Sequence, residues 1–255
     1  MIGELELGYA FSTCKSYFPS IEPLIDDIES NNIDKSKVLF VSAQEEKNEK
    51  ILIRDCEVQK VTYSGLHLTP AIFLSENHQQ YPKTKYWFLL PATVRMGKDF
   101  HKNVLNALCL KGFEGSSYPV INPTLRPTMD MGIVHLDHLR KFKQFFNRIK
   151  LPEYTESDLI DLKQELILLE NFILGIPYPK EIQIKSRIYS EMAEDIISPT
   201  SFMVNSANEI KTRFKKYKGK KLKISHFTPI DLTKYQRTYR GLKKIVMNCD
   251  GGFPE

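Results

Sequence analysis

Small polar side chains occur where several strand-like, apolar runs of the sequence end. Ser12 and Thr13 end the first run, and Gln44 follows the second. Tyr63 and Thr93 follow two later runs. Hydroxyl and amide groups can hydrogen-bond the hydroxyls of a sugar or the edge of a base. Because ligands of open α/β sheets bind beyond the carboxyl ends of the strands, we predict a ligand site formed by these residues.

Motifs that bind phosphate or activate a nucleophile in well-known enzyme classes are missing. The sequence has no G-x-G-x-x-G and no G-x-x-x-x-G-K-[ST], which argues against a dinucleotide dehydrogenase and a P-loop NTPase. It has no G-x-S-x-G nucleophile motif either. His135 and His138 flank Asp137, but they straddle a predicted strand-to-helix junction, so we do not expect them to bind a metal.

The elements that position the strand-end residues alternate between strands and helices. Between the apolar runs 7–13 and 37–42, apolar residues recur at helical spacing, at Ile21, Leu24, Ile25 and Ile28. Continuous apolar strands of this kind are typical of a parallel sheet covered on both faces. Further strand-like runs at 86–90 and 131–136 extend the pattern. We therefore predict an α/β fold with a Rossmann-like, open, mostly parallel sheet flanked by helices.

The character of the sequence changes after Pro152. Residues 155–174 have helical spacing, and a second helix is predicted near 185–197. We therefore predict an α/β domain of residues 1–150 and a mainly helical C-terminal extension of residues 151–255. Residues 211–223 include eight basic residues and no acidic one. We interpret them as a solvated helix end and loop, with nucleic acid, an anionic ligand or an anionic membrane surface as alternative partners.

The composition places the chain among globular proteins. Apolar residues make up 42% of it and charged residues 26%, which argues against a disordered chain. No apolar run is long enough to cross a bilayer. The cysteines lack the spacing of a zinc or redox motif, which favours reduced thiols in a cytoplasmic protein, and they lie at Cys14, Cys56, Cys109 and Cys249.

The opening FSTCKSYFPSIEPLIDDIESNNIDKSKVLFVSA resembles the start of small GT-A-type glycosyltransferases of bacteria and large DNA viruses. In that family, a strand, a helix and a second strand open the nucleotide-sugar domain. Three later segments resemble its nucleotide-contact segment, metal-motif strand and acceptor-side strand, namely VTYSGLHLTPAIFLSE, YWFLLPATVRMGKDF and MDMGIVHL. The resemblance covers roughly residues 7–150. It implies a GT-A-like fold and a nucleotide-sugar donor at the strand-end residues.

One departure from the family concerns the metal. GT-A enzymes usually end the metal-motif strand with Asp-x-Asp or a variant that keeps one carboxylate. Here the corresponding stretch, residues 90–93, is Leu-Pro-Ala-Thr. The departing diphosphate still needs positive charge, and Arg95 and Lys98 follow directly, with His101 after them. We therefore predict transfer without Mn²⁺ or Mg²⁺, with these cations in the place of the metal. The alternatives are that Arg95 and Lys98 are solvated loop charges and that Mn²⁺ or Mg²⁺ is required.

The resemblance also implies a residue that removes the proton of the acceptor hydroxyl. An inverting transfer needs a base to deprotonate the acceptor hydroxyl. Asp130, just before the acceptor-side strand, is the first candidate, with a turn residue as the alternative. Asp137 is the second, with the capping of the following helix as the alternative. His67 lies in the nucleotide-contact segment, where we expect it to hydrogen-bond the ribose or base.

The sequence leaves three functions open. The first is a glycosyltransferase that moves a sugar from a nucleotide sugar to a glycan, glycolipid or other hydroxyl acceptor, with peripheral membrane contact for a lipid acceptor. The second is a non-catalytic, degenerate GT-A module that binds a glycan or a partner protein, which the missing Asp-x-Asp favours. The third is nucleic-acid binding through the basic segment 211–223, where Phe214 and Tyr217 can stack on bases.

Overall fold

The computed structural model describes residues 7–109, 120–122, 131–153, 169–170, 173–174, 201–203, 210–217, 220–227 and 230–237. Within its described residues up to 150, strands and helices follow one another along the chain. The elements in chain order are β1 (Leu7–Cys14), α1 (Ile21–Ser30), β2 (Val38–Ala43), β3 (Glu49–Ile53), β4 (Cys56–Lys60), α2 (Thr69–Asn77), β5 (Tyr86–Pro91), β6 (Val94–Met96), α3 (Phe100–Cys109), β7 (Val120–Asn122), β8 (Gly132–His135), α4 (Leu136–Arg140), α5 (Lys143–Ile149), β9 (Ser201–Met203), β10 (Ile210–Tyr217), β11 (Lys220–Phe227) and β12 (Leu232–Arg237).

The main sheet is mostly parallel, and this confirms the predicted α/β character. Its strand order is β3-β4-β2-β1-β5-β8-β7-β9. Strands β4, β2, β1 and β5 are mutually parallel, and β7 and β9 run in the same direction. Strands β3 and β8 run in the opposite direction. The order therefore places β1 in the centre of a parallel group of four.

Strand β1 is buried on both faces, which explains why it is continuously apolar. Tyr9 and Phe11 belong to the core cluster that includes the apolar residues of α1 and α3. Ala10, between them, belongs to the cluster that includes α2, α4 and α5. Successive strand side chains point to opposite faces, so each face of β1 packs against its own helical layer.

The described residues after 150 are mostly strands, whereas most of the predicted helical part of the extension lies outside the described residues. Strands β10, β11, β12 and β6 form an antiparallel sheet, and β9 pairs with β7. Helical backbone is present at 169–170 and 173–174, whereas the helix predicted at 185–197 lies outside the described residues. The described part of the basic segment 211–223 lies in the β10–β11 hairpin and not in a helix end, because the two strands pair with each other in register. Among the described residues, no helix has the length and apolar character needed to cross a membrane.

A partly buried ion pair joins α1 to the chain that follows β5. Asp27 is buried in α1, and its carboxylate accepts hydrogen bonds from Arg95 Nε at 2.7 Å and Nη2 at 2.8 Å. Asp27 also accepts a bond from the Met96 N–H at 2.9 Å. One turn later, Asn31 Nδ2 donates to the Gly97 carbonyl at 2.9 Å. These bonds hold β6 alongside the second half of α1.

Replacement of Asp27 by Asn should destabilise the fold. The substitution removes the charge that compensates the Arg95 guanidinium and should lower the free energy of unfolding by about 2 kcal/mol. Urea unfolding measures this change. Asp26→Asn is the matched control, because Asp26 is a largely exposed carboxylate of the same helix and its loss should leave stability near that of wild type. Equal stability of the two variants would contradict the structural role of the Asp27–Arg95 pair.

Candidate functional site

The direction of chain growth in the main sheet reverses at β1. The chain leaves β1 for β2 and β4 on one side and later adds β5 on the other side. Ligands of open α/β sheets bind in the crevice beyond the carboxyl ends of the strands, where the strand order reverses. Ser12 lies opposite Val41 of β2 and Pro91 of β5, so it stands at this position. We call the surface beyond the carboxyl ends of β1, β2 and β5 the carboxyl edge.

Hydrogen bonds bring four of the predicted strand-end residues to the carboxyl edge. The Ser12 carbonyl accepts a bond from the Ala92 N–H at 2.8 Å, which places the Ala92–Thr93 turn beside β1. The Gln44 N–H donates to the Tyr63 carbonyl at 3.2 Å. The predicted grouping of these segments is therefore present in the structure.

The turn between β4 and α2 is tied to β1 and has a strained backbone. Ser12 Oγ donates to the Leu66 carbonyl at 2.9 Å. Leu66 has a φ of 53° and Gln44 has a φ of 58°, in the left-handed region that disfavours both side chains. Gly65 has no side chain at this turn, and a Cβ there would lie 2.2 Å from Ile72 Cδ1. Strained residues of this kind cluster at ligand sites, and both lie at the carboxyl edge.

Two hydroxyl groups near this edge are buried without a hydrogen-bond partner among the described residues. They are Thr13 Oγ1 and the Tyr63 hydroxyl, and Thr13 is only 5% exposed. Burial raises the pKa of the Tyr63 phenol, and the Glu76 carboxylate raises it further, so the phenol remains a hydrogen-bond donor at neutral pH. Buried polar groups normally have a partner, so both hydroxyls are suited to bind a polar ligand.

His67 forms a contact that sequence reasoning missed. Its Nε2 lies 2.6 Å from Oε1 of Glu170, a residue that is 2% exposed. In the sequence, Glu170 only interrupts the apolar pattern of a predicted helix. A single acidic residue within an apolar helical pattern indicates a buried carboxylate, and a buried carboxylate needs a partner. The partner itself, 103 positions earlier in the chain, is not visible from periodicity.

Arg95 and Lys98 do not line the carboxyl edge with the strand-end residues. The guanidinium of Arg95 is bound by Asp27, in the second half of α1. Lys98 is exposed and follows Gly97, whose carbonyl is bound by the end of the same helix. Helix α1 starts at the carboxyl edge and runs back to the start of β2. Arg95 is bound in the second half of this helix, and Gly97, directly before Lys98, is bound at its end. Both cations therefore lie away from the carboxyl edge. This placement corrects the prediction that Arg95 neutralises a diphosphate.

Asp137 lies at the opposite edge of the sheet, which removes it as a candidate base. Strand β8 is antiparallel to β5, and its last residue, His135, pairs with Tyr86, the first residue of β5. Burial lowers the pKa of His135 despite the nearby Asp137 carboxylate, and its Nδ1 accepts the Asp137 N–H at 3.1 Å. His135 is therefore the N-cap of α4, and Asp137 lies in the first turn and pairs with Arg140. Asp130 lies outside the described residues, one position before Met131.

The end of β5 does not fit a divalent metal. Pro91, Ala92 and Thr93 bring no carboxylate to the carboxyl edge, and carboxylates are the ligands that Mg²⁺ and Mn²⁺ prefer. Within the part of the chain that the structure describes, no group of three histidine, cysteine or acidic side chains is arranged for a metal, and this holds for His135 and His138 as well.

Comparison with known proteins assigns this chain to no family. No family model matches this chain, and no curated protein matches it.

Thr13→Val tests whether the buried hydroxyl serves a ligand. Valine keeps the shape of the side chain and removes the hydroxyl, so the free energy of unfolding should stay unchanged or rise by about 1 kcal/mol. Affinity for a ligand that binds at the carboxyl edge should fall by about 3- to 10-fold, which is the loss of one hydrogen bond. Urea unfolding and calorimetric titration measure the two effects.

Thr69→Val is the matched control for this measurement. The Thr69 hydroxyl is also buried, but it donates to the Leu66 carbonyl and accepts the Gly65 N–H. Its removal should destabilise the protein. A similar loss of stability in Thr13→Val would show that the Thr13 hydroxyl has a partner within the protein itself.

Proposed function

We propose that the protein is a glycosyltransferase that moves a sugar from a nucleotide-activated donor to a hydroxyl acceptor. The observation that supports this most is the carboxyl edge itself. It lies at the strand-order reversal between β1 and β5 and has the buried Thr13 hydroxyl beside it. The resemblance of residues 7–150 to GT-A-type enzymes supplies the substrate class.

In this proposal, the neutral polar groups of the carboxyl edge bind the nucleoside. Ser12 fixes the turn at Leu66, and Thr13, Gln44 and Tyr63 offer hydroxyl and amide groups to ribose and base. Thr93 follows β5 on the other side of β1, where the sugar and the diphosphate would lie. The backbones of Ser12, Gln44 and Tyr63 are held by hydrogen bonds to neighbouring segments, which limits the entropy lost on binding.

The leaving diphosphate requires positive charge that this edge does not obtain from Arg95. Lys15 directly follows β1, and its Nζ lies 3.1 Å from Glu46 Oε1. Both side chains are exposed, so their ion pair contributes little and Lys15 can turn towards a diphosphate at low cost. In our proposal Lys15 takes the role that the sequence assigned to Arg95, and transfer does not depend on a divalent metal.

A ligand-binding module without catalysis is the second candidate. The missing carboxylate at the end of β5 favours it, because the resemblance implies an acid at that position. This module would use the same carboxyl edge to hold a nucleotide, a glycan or a partner protein.

Thermal unfolding with nucleotides and nucleotide sugars tests the proposal. A donor present at about 100 times its Kd should stabilise the folded protein by about 2.7 kcal/mol, which raises Tm by roughly 5 °C. The shift should persist in EDTA and be equal with added Mn²⁺. A free sugar without its nucleotide is the control and should give no shift.

Three results would contradict parts of this account. A shift only with Mn²⁺ would overturn metal independence. No shift with any nucleotide would overturn the proposed donor class and favour a glycan- or protein-binding module. A shift without any transfer to glycan or glycolipid acceptors would favour a nucleotide-binding module.

A further inference from the structure

The antiparallel sheet of β10, β11, β12 and β6 is strongly basic, and the proposed transfer does not use it. The described strands of this sheet contain no acidic residue. Their lysines and arginines are Arg95, Lys211, Arg213, Lys215, Lys216, Lys220, Lys221, Lys223, Lys234 and Arg237. A sheet of this composition attracts anions, most strongly those that carry several charges.

Strands β12 and β6 show which face of this sheet is turned to the core. Leu232 is buried and pairs with Met96, and both belong to the core cluster of α1 and α3. Thr233, the next residue, is only partly buried and lies on the opposite face. We call the face at the position of Leu232 the inner face and the face at the position of Thr233 the outer face. Arg95 pairs with Thr233 on the outer face and is bound by Asp27.

The strand register divides the basic residues of the β10–β11 hairpin between these two faces. Lys211 pairs with His226, which pairs with Thr233, so Lys211 is at an outer-face position. Alternate residues of a strand share a face, so Arg213 and Lys215 are at outer-face positions as well. The inner-face positions of the hairpin include three further lysines, Lys216, Lys221 and Lys223.

The outer face has a row of cations along its edge strand. Lys211, Arg213 and Lys215 occupy every second position of β10, about 6–7 Å apart. Successive phosphates of an extended single strand of nucleic acid are separated by a similar distance. A single strand that lies along β10 can therefore place one phosphate beside each cation.

The aromatic residues of the sheet are also divided between the faces. Both tyrosines of the described strands, Tyr217 and Tyr235, are at outer-face positions, whereas Phe214 and Phe227 are at inner-face positions. Tyr235 is separated from the cation row only by Ile224, its partner on β11. Aromatic rings beside a basic row are typical of surfaces that bind single strands, because every base can stack on a ring.

We propose that the outer face binds single-stranded nucleic acid, with the phosphates along β10 and the bases over β11 and β12. This inference goes beyond the proposed function and does not depend on it, since the carboxyl edge belongs to the main sheet. The tyrosines favour a nucleic acid over an anionic membrane, because charge alone is sufficient to bind a membrane surface.

Fluorescence anisotropy of a labelled single-stranded oligouridylate with the full chain tests the proposal. Contacts to three or four phosphates should give a slope of about −2 to −3 in a plot of log affinity against log salt concentration. Lys211→Gln/Arg213→Gln/Lys215→Gln should weaken binding by about 10-fold or more and reduce that slope by about 2, with unchanged Tm. Arg213→Gln alone should reduce the slope by about 0.7, which provides a test if the triple variant is unstable.

Two further variants separate the outer face from general attraction by charge. Lys216→Gln/Lys221→Gln/Lys223→Gln is the matched control, because it removes the same charge from inner-face positions of the same hairpin. Its affinity should stay within about 3-fold of wild type. Tyr235→Leu should weaken binding by about 5-fold or more at an unchanged salt slope, since it removes a stacking ring and no charge.

The outcomes also distinguish this inference from the proposed function. Equal losses in the two triple variants, or an unchanged affinity in Tyr235→Leu, would overturn the outer face as the binding surface. Tighter binding to vesicles of phosphatidylserine and phosphatidylcholine than to the oligonucleotide would assign the basic sheet to a membrane. No binding of the oligonucleotide at low salt would overturn the inference and leave the proposed function standing. Oligonucleotide binding by a protein that gives no thermal shift with any nucleotide sugar would overturn the proposed function alone.

Discussion

The parallel pairing of β1 with β2 on one side and β5 on the other is the constraint on which the rest of the structure depends. It commits both faces of β1 to the core, so polar groups can occur only where the strand ends. The same pairing brings the turns after β2, β4 and β5 together around Ser12. A ligand at this position contacts several segments at once, and it would lose those contacts if β5 shifted in register relative to β1.

The charged residues near this centre mainly hold the fold together. Arg95 is bound by Asp27, and Arg54 contacts the carboxylates of Glu22, Asp26 and Glu29. Helix α1 thereby anchors β6, and its exposed carboxylates also contact the turn of the β3–β4 hairpin. The carboxyl edge presents hydroxyl and amide side chains and the His67 imidazole, with the exposed Lys15–Glu46 pair directly after β1 and the buried Glu170 against His67. This composition fits the binding of a nucleoside and a sugar better than the coordination of a divalent metal.

The local parts of this arrangement were predictable from the sequence. Apolar runs and the helical spacing of Ile21, Leu24, Ile25 and Ile28 predicted the first strand–helix–strand unit, because these patterns depend on neighbours in the chain. The strand-end residues followed from the same elements. The direction of β8 did not, since strand pairing is a long-range property, and this placed Asp137 at the wrong edge. Arg95 with Asp27 and His67 with Glu170 are partners 68 and 103 positions apart, so no periodicity predicts them. The basic hairpin was mistaken for a helix end because its lysines obscure the alternation of a strand.

The central claim is that the carboxyl edge binds the nucleotide, and backbone hydrogen–deuterium exchange with a saturating nucleoside diphosphate tests it most directly. Ordering of the edge by a ligand should slow exchange at residues 12–15, 44, 63–67 and 92–93, with little change in α5 or in the β10–β11 hairpin. Protection confined to the β10–β11 hairpin, or no protection anywhere at ligand concentrations that saturate binding, would contradict the account.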